Sequence, residues 1–253
     1  MKIYVNWREF SILFVLSVIS LFCVFPYVLT LYRDTFNNSG YPIGLILFYQ
    51  LIQGLILFSI AIFLGLFFTG KINFQLPLIR TILSKGDYKS IFKNTLGISV
   101  SLGVVVAIII YILDIYFTWL GVKISTHQNP APVWQTLLAS VYGGVAEEIL
   151  LRLFLMTSFI WGGMKIFRED QPSKVVIIVS IILVAIIFGL GHLPVTATLT
   201  ELNNLVILRA IVLNGLGGIV FGSLFWLKGF ESAMIAHFTT DIFLLTLLPL
   251  LFT

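Results

Sequence analysis

The stretch GGVAEEILLRLFLM, residues 143–156, places three ionisable side chains inside an otherwise apolar segment. In an α-helix, with about 100° per residue, Glu148 and Arg152 lie on one face and can form an ion pair. Glu147 is turned about 100° away from Glu148 on the same geometry and has no such partner. A carboxylate without a local partner in an apolar helix is a candidate general base.

The composition around this stretch is that of a membrane protein. The chain has 253 residues, of which 59% are hydrophobic and 10% charged, and its mean hydropathy is +1.07. This composition excludes an ordinary soluble domain. A helical span needs roughly 20 apolar residues. Seven stretches qualify: residues 10–31, 43–69, 96–119, 133–160, 175–192, 205–226 and 232–252. The sequence therefore predicts an all-α, polytopic transmembrane helix bundle of about seven spans.

The basic residues predict the orientation of the bundle. With a cytoplasmic amino terminus, eleven of the 15 Lys and Arg residues fall in cytoplasmic segments, and only Arg33 and Lys123 fall outside. This bias matches the positive-inside rule. The net charge of +4 is then a feature of topology, and it gives no reason to expect nucleic-acid binding.

The polar residues also suggest two parts of the chain. Intramembrane polar residues concentrate in the last four spans and are candidates for function. We therefore predict N-terminal spans with a basic cytoplasmic loop over residues 1–95 and a core that carries the functional residues over residues 96–253. The basic stretch 70–95 is interleaved with apolar residues and is expected to lie on an anionic inner leaflet. His127, in a loop, is expected to be solvated.

Two further motifs lie on later spans. Phe188 and His192, in FGLGHLP, and His237 and Asp241, in AHFTTDIF, are each four residues apart. Such spacing puts both members of a pair on one helix face. Histidines and carboxylates that converge from three helices can activate a water for attack on an amide, either by acid–base action or through a bound metal.

Straight helices would place these groups at different depths. His192 is about 17 residues into its predicted span, roughly 25 Å at 1.5 Å per residue, whereas His237 is near the cytoplasmic side. A single site therefore requires a tilt, a fifth helix that starts deeper, or a break at Gly143 and Gly144. The small residues nearby would permit close helix approach: Gly143, Gly144, Ala146, Gly189, Gly191, Ala233 and Ala236.

The three motifs, in this order on successive late helices, resemble those of the CPBP family of intramembrane proteases. That family includes type II CAAX prenyl endopeptidases and bacterial bacteriocin-processing, self-immunity and abortive-infection proteins. The resemblance covers about residues 130–250. It implies that Glu147 polarises the attacking water with His192 as its partner, that Glu148 and Arg152 support this pair, and that His237 lies near the oxyanion.

Asp241 departs from the pattern of the prenyl proteases, which often have Asn here. Asn can donate a hydrogen bond to an oxyanion, whereas an ionised Asp would repel it. Asp241 must then be protonated, bind a metal, or only orient His237. The family is usually described as metalloproteases, which implies Zn²⁺ held by His192, His237 and Glu147. A metal-free glutamate mechanism fits the same residues, and the sequence leaves both open.

The resemblance implies an intramembrane endopeptidase for membrane-associated or prenylated substrates, in CAAX processing or in bacteriocin maturation and self-immunity. Its expected partners are membrane lipids and a peptide or lipidated protein, and its expected location is a bacterial plasma membrane. A non-catalytic immunity or scaffold protein and a proton- or cation-coupled transporter are the alternatives. A Ser223/His237 dyad is a weaker one, because Ser223 lacks the Gly-x-Ser-Gly pattern.

Overall fold

A computed structural model describes residues 5–123 and 131–252 of the chain, and in these residues all regular structure is helical. His127 lies outside the described residues. The α-helices are α1 Trp7–Leu31, α2 Arg33–Asn38, α3 Ile43–Ile72, α4 Pro77–Leu83, α5 Tyr88–Trp119, α6 Val133–Tyr142, α7 Thr157–Phe167, α8 Lys174–Gly191, α9 Leu193–Leu199, α10 Asn204–Lys228, α11 Phe230–Ile242 and α12 Leu248–Phe252. Three π-helical segments, Gly143–Glu147, Ile149–Met156 and Phe243–Leu247, interrupt this order.

Seven helical stretches are long and apolar enough to cross a membrane, and they confirm the predicted spans. In chain order they are Trp7–Leu31, Ile43–Ile72, Tyr88–Trp119, Val133–Phe167, Lys174–Leu199, Asn204–Lys228 and Phe230–Leu251. We call them the first to the seventh span. The cytoplasmic amino terminus and the division between residues 95 and 96, which falls inside α5, stay predictions.

Side-chain caps fix where several of these helices begin. The Asn6 side chain accepts a hydrogen bond from the backbone N–H of Arg8 at 3.1 Å, and the Asn203 side chain caps α10 in the same way. The fifth span continues beyond His192, where the sequence analysis ended it. α8 ends at Gly191, and the span goes on as a new helix, α9, whose first turn contains Pro194 at a position where proline is tolerated.

Close backbone contacts hold the spans around the fourth and seventh. A Cβ atom on Gly65 of the second span would lie 2.7 Å from the Leu153 carbonyl oxygen of the fourth. One on Gly103 of the third span would lie 2.5 Å from the Ala236 carbonyl oxygen of the seventh. These positions admit only glycine at the observed spacing, as expected where membrane helices pack closely.

Part of the basic segment 70–95 packs against the start of the seventh span, whereas the sequence analysis expected the segment only to lie on the inner leaflet. Helix α4 has only seven residues and buries Ile79, whose backbone N–H donates to the buried Glu231 carboxylate at 2.8 Å. Gly229, at φ 103°, lies against Pro77, and a Cβ there would overlap the proline ring. The segment thus fixes the start of the seventh span, which carries His237.

Candidate active site

The fourth span is distorted where its ionisable residues lie. Residues Gly143–Glu147 and Ile149–Met156 are π-helical. Such segments change the rotation of side chains about the helix axis and are frequent at functional sites. The distortion begins at Gly143, where the sequence analysis placed a break as one of three ways to form a single site.

Glu148 and Arg152 form a fully buried ion pair, as their spacing predicted. Nη1 of Arg152 lies 2.9 Å from Oε1 of Glu148, and neither side chain is exposed. His237, from the seventh span, joins the same oxygen through Nδ1 at 2.7 Å. Contacts this short are typical of charge-assisted pairs. The seventh span is therefore tied to the fourth through one carboxylate oxygen.

The hydrogen bond to Glu148 fixes the tautomer of His237. A carboxylate can only accept, so Nδ1 carries the proton. The other ring nitrogen, Nε2, faces two further carboxylates, with Oε2 of Glu147 at 3.6 Å and Oδ1 of Asp241 at 3.7 Å. The side chains of Glu147 and Asp241 are 25% and 20% exposed, respectively, while that of Glu148 is 0% exposed. Glu147 and Asp241 are thus the carboxylates that a water or substrate can reach.

Two phenylalanines enclose the buried charges. Phe221 of the sixth span stacks on His237 with ring centroids 4.5 Å apart and an interplanar angle of 20°. Phe188 of the fifth span meets the same imidazole edge-on at 5.6 Å. The Arg152 guanidinium lies 5.0 Å from the Phe188 ring and 5.4 Å from the Phe221 ring. These cation–π contacts offset part of the cost of burying the arginine.

His192 reaches this cluster only through Phe188. Its ring lies 4.8 Å from the Phe188 ring, and its Nδ1 lies 2.8 Å from the Phe188 carbonyl oxygen. A carbonyl can only accept a hydrogen bond, so Nδ1 carries the proton. In the neutral ring, Nε2 then has no proton and can accept one. Among the described residues, no hydrogen bond or ion pair joins His192 to Glu147 directly. The two can cooperate only through a molecule placed between them.

Gly143 and Gly144 let the fourth and seventh spans meet. A Cβ on Gly143 would overlap the Asp241 carboxylate and lie 3.3 Å from Nε2 of His237. One on Gly144 would lie 2.7 Å from Cβ of Phe238. Gly191, in contrast, has open space where its Cβ would be. Of these predicted contact residues, the glycine pair of the fourth span therefore shapes the site most directly.

The residues expected to bind zinc do not form a ligand set. Within residues 5–123 and 131–252, no group of three or more His, Cys, Asp or Glu side chains could hold a metal ion. Of the expected ligands His192, His237 and Glu147, both histidines donate through Nδ1 and keep Nε2 open, as a metal ligand would, but His192 is not grouped with the other two among the described residues. We therefore derive no catalytic step through a metal.

The sequence analysis missed Phe221 and Tyr142. Tyr142 immediately precedes the π-helical segment that ends at Glu147. Aromatic residues in an apolar span carry no pattern that distinguishes site residues from packing residues. Only the folded arrangement of the spans identifies them.

The fold and the site define a class: a polytopic helical membrane protein with carboxylates, an arginine and a histidine gathered between its fourth and seventh spans. Residues 129–243 match the model of a family described as Type II CAAX prenyl endopeptidase Rce1-like. This match confirms the resemblance predicted from the three motifs, and it points to a protease. All six predicted site residues lie inside the matched range. No curated protein and no solved structure matches the chain.

Proposed function

We propose that the protein is an intramembrane endopeptidase that hydrolyses a peptide bond with a water activated by Glu147 and His192. The family match across residues 129–243, the range that also holds the buried cluster, carries this proposal. Glu147 supports it because its carboxylate is partly exposed and close to His237 without being bound by the buried ion pair. His192 supports it because its Nε2 can accept a proton.

In the proposed reaction the water lies between Glu147 and His192. Glu147 takes a proton from the water while Nε2 of His192 orients it by accepting its second hydrogen. The water oxygen forms a bond to the carbonyl carbon of the substrate, and the carbonyl π electrons move onto its oxygen. Glu147 then gives its proton to the amide nitrogen as the C–N bond breaks, which leaves a carboxylic acid and an amine.

His237 is the proposed donor to the oxyanion. In its protonated form, Nδ1 donates to Glu148 and Nε2 donates toward the space next to Glu147 and Asp241. A donor held in place before the reaction stabilises the developing charge without reorganisation. Glu148 and Arg152 are positioning residues in this scheme, because they hold His237 and touch no substrate.

The proposed substrates are peptides or lipidated proteins that reach the site within the membrane. Prenylated CAAX proteins are one class, as the family description suggests, and peptides of bacteriocin maturation or self-immunity are another. The partly exposed carboxylates lie inside the helical bundle, so a substrate must be membrane-associated or enter the bundle in extended form.

The test is cleavage of a fluorogenic peptide panel, prenylated and unprenylated, by protein purified into lipid. We expect Glu147→Gln to reduce the rate about 10²–10⁴-fold, as for loss of a general base. The matched control is Glu201→Gln, the same chemical change at an exposed residue between the fifth and sixth spans. It should cleave at the wild-type rate.

The same assay with a chelator separates the two mechanisms. Activity that survives the chelator supports metal-free glutamate chemistry, and activity lost to it and restored by zinc supports a metalloprotease. Cleavage unchanged in Glu147→Gln would overturn the proposed mechanism. Suppose that neither the wild type nor Glu147→Gln cleaves any peptide of the panel, yet Glu147→Gln still gives cells immunity. The non-catalytic alternative would then be correct.

A further inference from the structure

A cleft between the first and second spans opens beside the site. Its volume is about 300 Å³, and its walls include Val24, Val28 and Leu57. The two spans cross at its end, where a Cβ on Gly54 would lie 2.7 Å from Cδ1 of Leu21. The cleft is therefore a gap between the two spans next to the point where they cross.

Two glutamines in the first half of an apolar helix line this cleft. Gln50 and Gln53 belong to the second span, Ile43–Ile72, and both border the cleft. They are three residues apart and so lie on one helix face. Gln50 is half-buried and Gln53 exposed. Within the described residues, no hydrogen bond to either side-chain amide is found.

Unpaired amides at membrane depth are costly, because hydrocarbon offers no hydrogen bonds. Polar side chains inside spans are accordingly functional candidates. An occupant of the cleft must both donate and accept hydrogen bonds if it is to satisfy Gln50 and Gln53. An extended peptide backbone does so through its N–H and C=O groups. A prenyl or acyl chain offers neither.

Tyr142 connects the wall of the cleft to the part of the fourth span that carries Glu147. Tyr142 lines the cleft and is followed directly by the π-helical segment that ends at Glu147. A chain lying in the cleft therefore has a short path past one side chain to the carboxylates.

We propose that this cleft binds the peptide segment of the substrate in extended form, with Gln50 and Gln53 hydrogen-bonded to its backbone. Tyr142 stands between this segment and the scissile bond. The inference rests on the proposed endopeptidase function and adds to it the place where substrate is held and the groups that recognise it.

The first test replaces the amides with apolar groups of similar size. We expect Gln50→Leu and Gln53→Leu each to raise KM for the peptide roughly three- to tenfold, the factor that one neutral hydrogen bond provides. The turnover number should stay unchanged, because neither residue touches the reacting atoms. Thermal stability should not fall, since leucine is better suited to lipid. Ile56→Leu, on the lipid-facing surface of the same helix, is the control.

The second test needs no turnover. A photo-crosslinking amino acid is placed at Leu57, inside the cleft, or at the adjacent Ile56, outside it, in the Glu147→Gln variant. The probes are a fluorescent farnesylated CAAX-type peptide and its unprenylated counterpart. We expect both peptides to be captured from position 57, with competition by excess unlabelled peptide, and neither from position 56.

The outcomes distinguish this inference from the proposed function. Specific capture at position 57, together with no cleavage by the wild type, would refute the proposed hydrolysis but support the binding cleft. Cleavage by the wild type with equal or no capture at the two positions would refute the cleft alone. Capture of only the farnesylated peptide, with KM unchanged in both leucine variants, would show that the cleft holds the lipid chain, and would also overturn the inference.

Discussion

Glu148 and His237 are 89 residues apart in the chain, yet Nδ1 of His237 lies 2.7 Å from Oε1 of Glu148. The same oxygen is 2.9 Å from Nη1 of Arg152, an ion pair that lacks hydrogen-bond geometry, and Oε2 of Glu148 has no hydrogen-bond partner among the described residues. One atom thus holds both a cation and an imidazole in the interior of the bundle. The position of the imidazole depends on the charge of this carboxylate.

Neutralising Glu148 should strongly destabilise the fold. In Glu148→Gln, the fully buried Arg152 loses its only ion-pair partner among the described residues. Removing one partner of a buried pair costs about 3–5 kcal/mol, because the other charge stays buried without compensation. Thermal unfolding of the variant in lipid nanodiscs, followed by intrinsic fluorescence, measures the loss.

The double variant Glu148→Gln with Arg152→Met is the control for this explanation. It removes the stranded charge, so most of the lost stability should return. Peptide cleavage should remain low, since His237 no longer faces a carboxylate through Nδ1. A double variant as unstable as Glu148→Gln alone would show that the charge of Arg152 is not the cause.

Adding one methyl group at Gly143 should lower activity about 10²-fold without unfolding the protein. In Gly143→Ala the new Cβ overlaps the Asp241 carboxylate and crowds Nε2 of His237. A displacement of about 1 Å at a catalytic group can cost about 10²-fold in rate. Initial cleavage rates at equal amounts of folded protein give the effect. Gly162→Ala, where the added Cβ meets open space, should be as active as wild type, and equal activity in both variants would contradict the prediction.

The sequence predicted the parts of this site that local geometry determines. The spans follow from apolar length, and the pair of Glu148 and Arg152 follows from the i, i+4 rule. The contact between Glu148 and His237 depends on how the seventh span is rotated against the fourth, which tertiary packing determines. The π-helical segments likewise have no periodicity signal of their own. The sequence indicated that Gly143 would permit a close helix approach if the motifs form a single site, but it did not indicate that Asp241 would be the contact.

Phe221 should contribute to activity through the position of His237. It stacks on this imidazole, and replacing it with leucine removes a contact of about 0.5–1.5 kcal/mol. We expect Phe221→Leu to lower the turnover number roughly two- to tenfold, a change of the same free energy in the barrier. KM should change little, because Phe221 is buried and touches no substrate.

Phe225→Leu is the matched control for Phe221. Phe225 lies one turn further along the sixth span, is equally buried at 1% exposure, and packs against Phe74 and Phe230 instead of His237. Both leucine variants should lose similar thermal stability, and only Phe221→Leu should lose turnover. Equal turnover losses would mean that packing alone explains the effect.

Asp241 should tolerate amidation better than removal of its polar group. Its Oδ1 lies 3.7 Å from Nε2 of His237, beside the proposed position of the oxyanion. Asparagine keeps the shape and can donate to that oxyanion, whereas an ionised aspartate opposes it. If Asp241 is protonated and donates to the oxyanion, we expect Asp241→Asn to cleave peptide at or above the wild-type rate, and Asp241→Leu to cleave about 10²-fold more slowly, as for loss of an oxyanion donor. The measurement is the initial cleavage rate in proteoliposomes, normalised to folded protein. If Asp241→Asn is as slow as Asp241→Leu, the carboxylate itself is required, and Asp241 then acts as a proton carrier or a metal ligand instead of orienting His237.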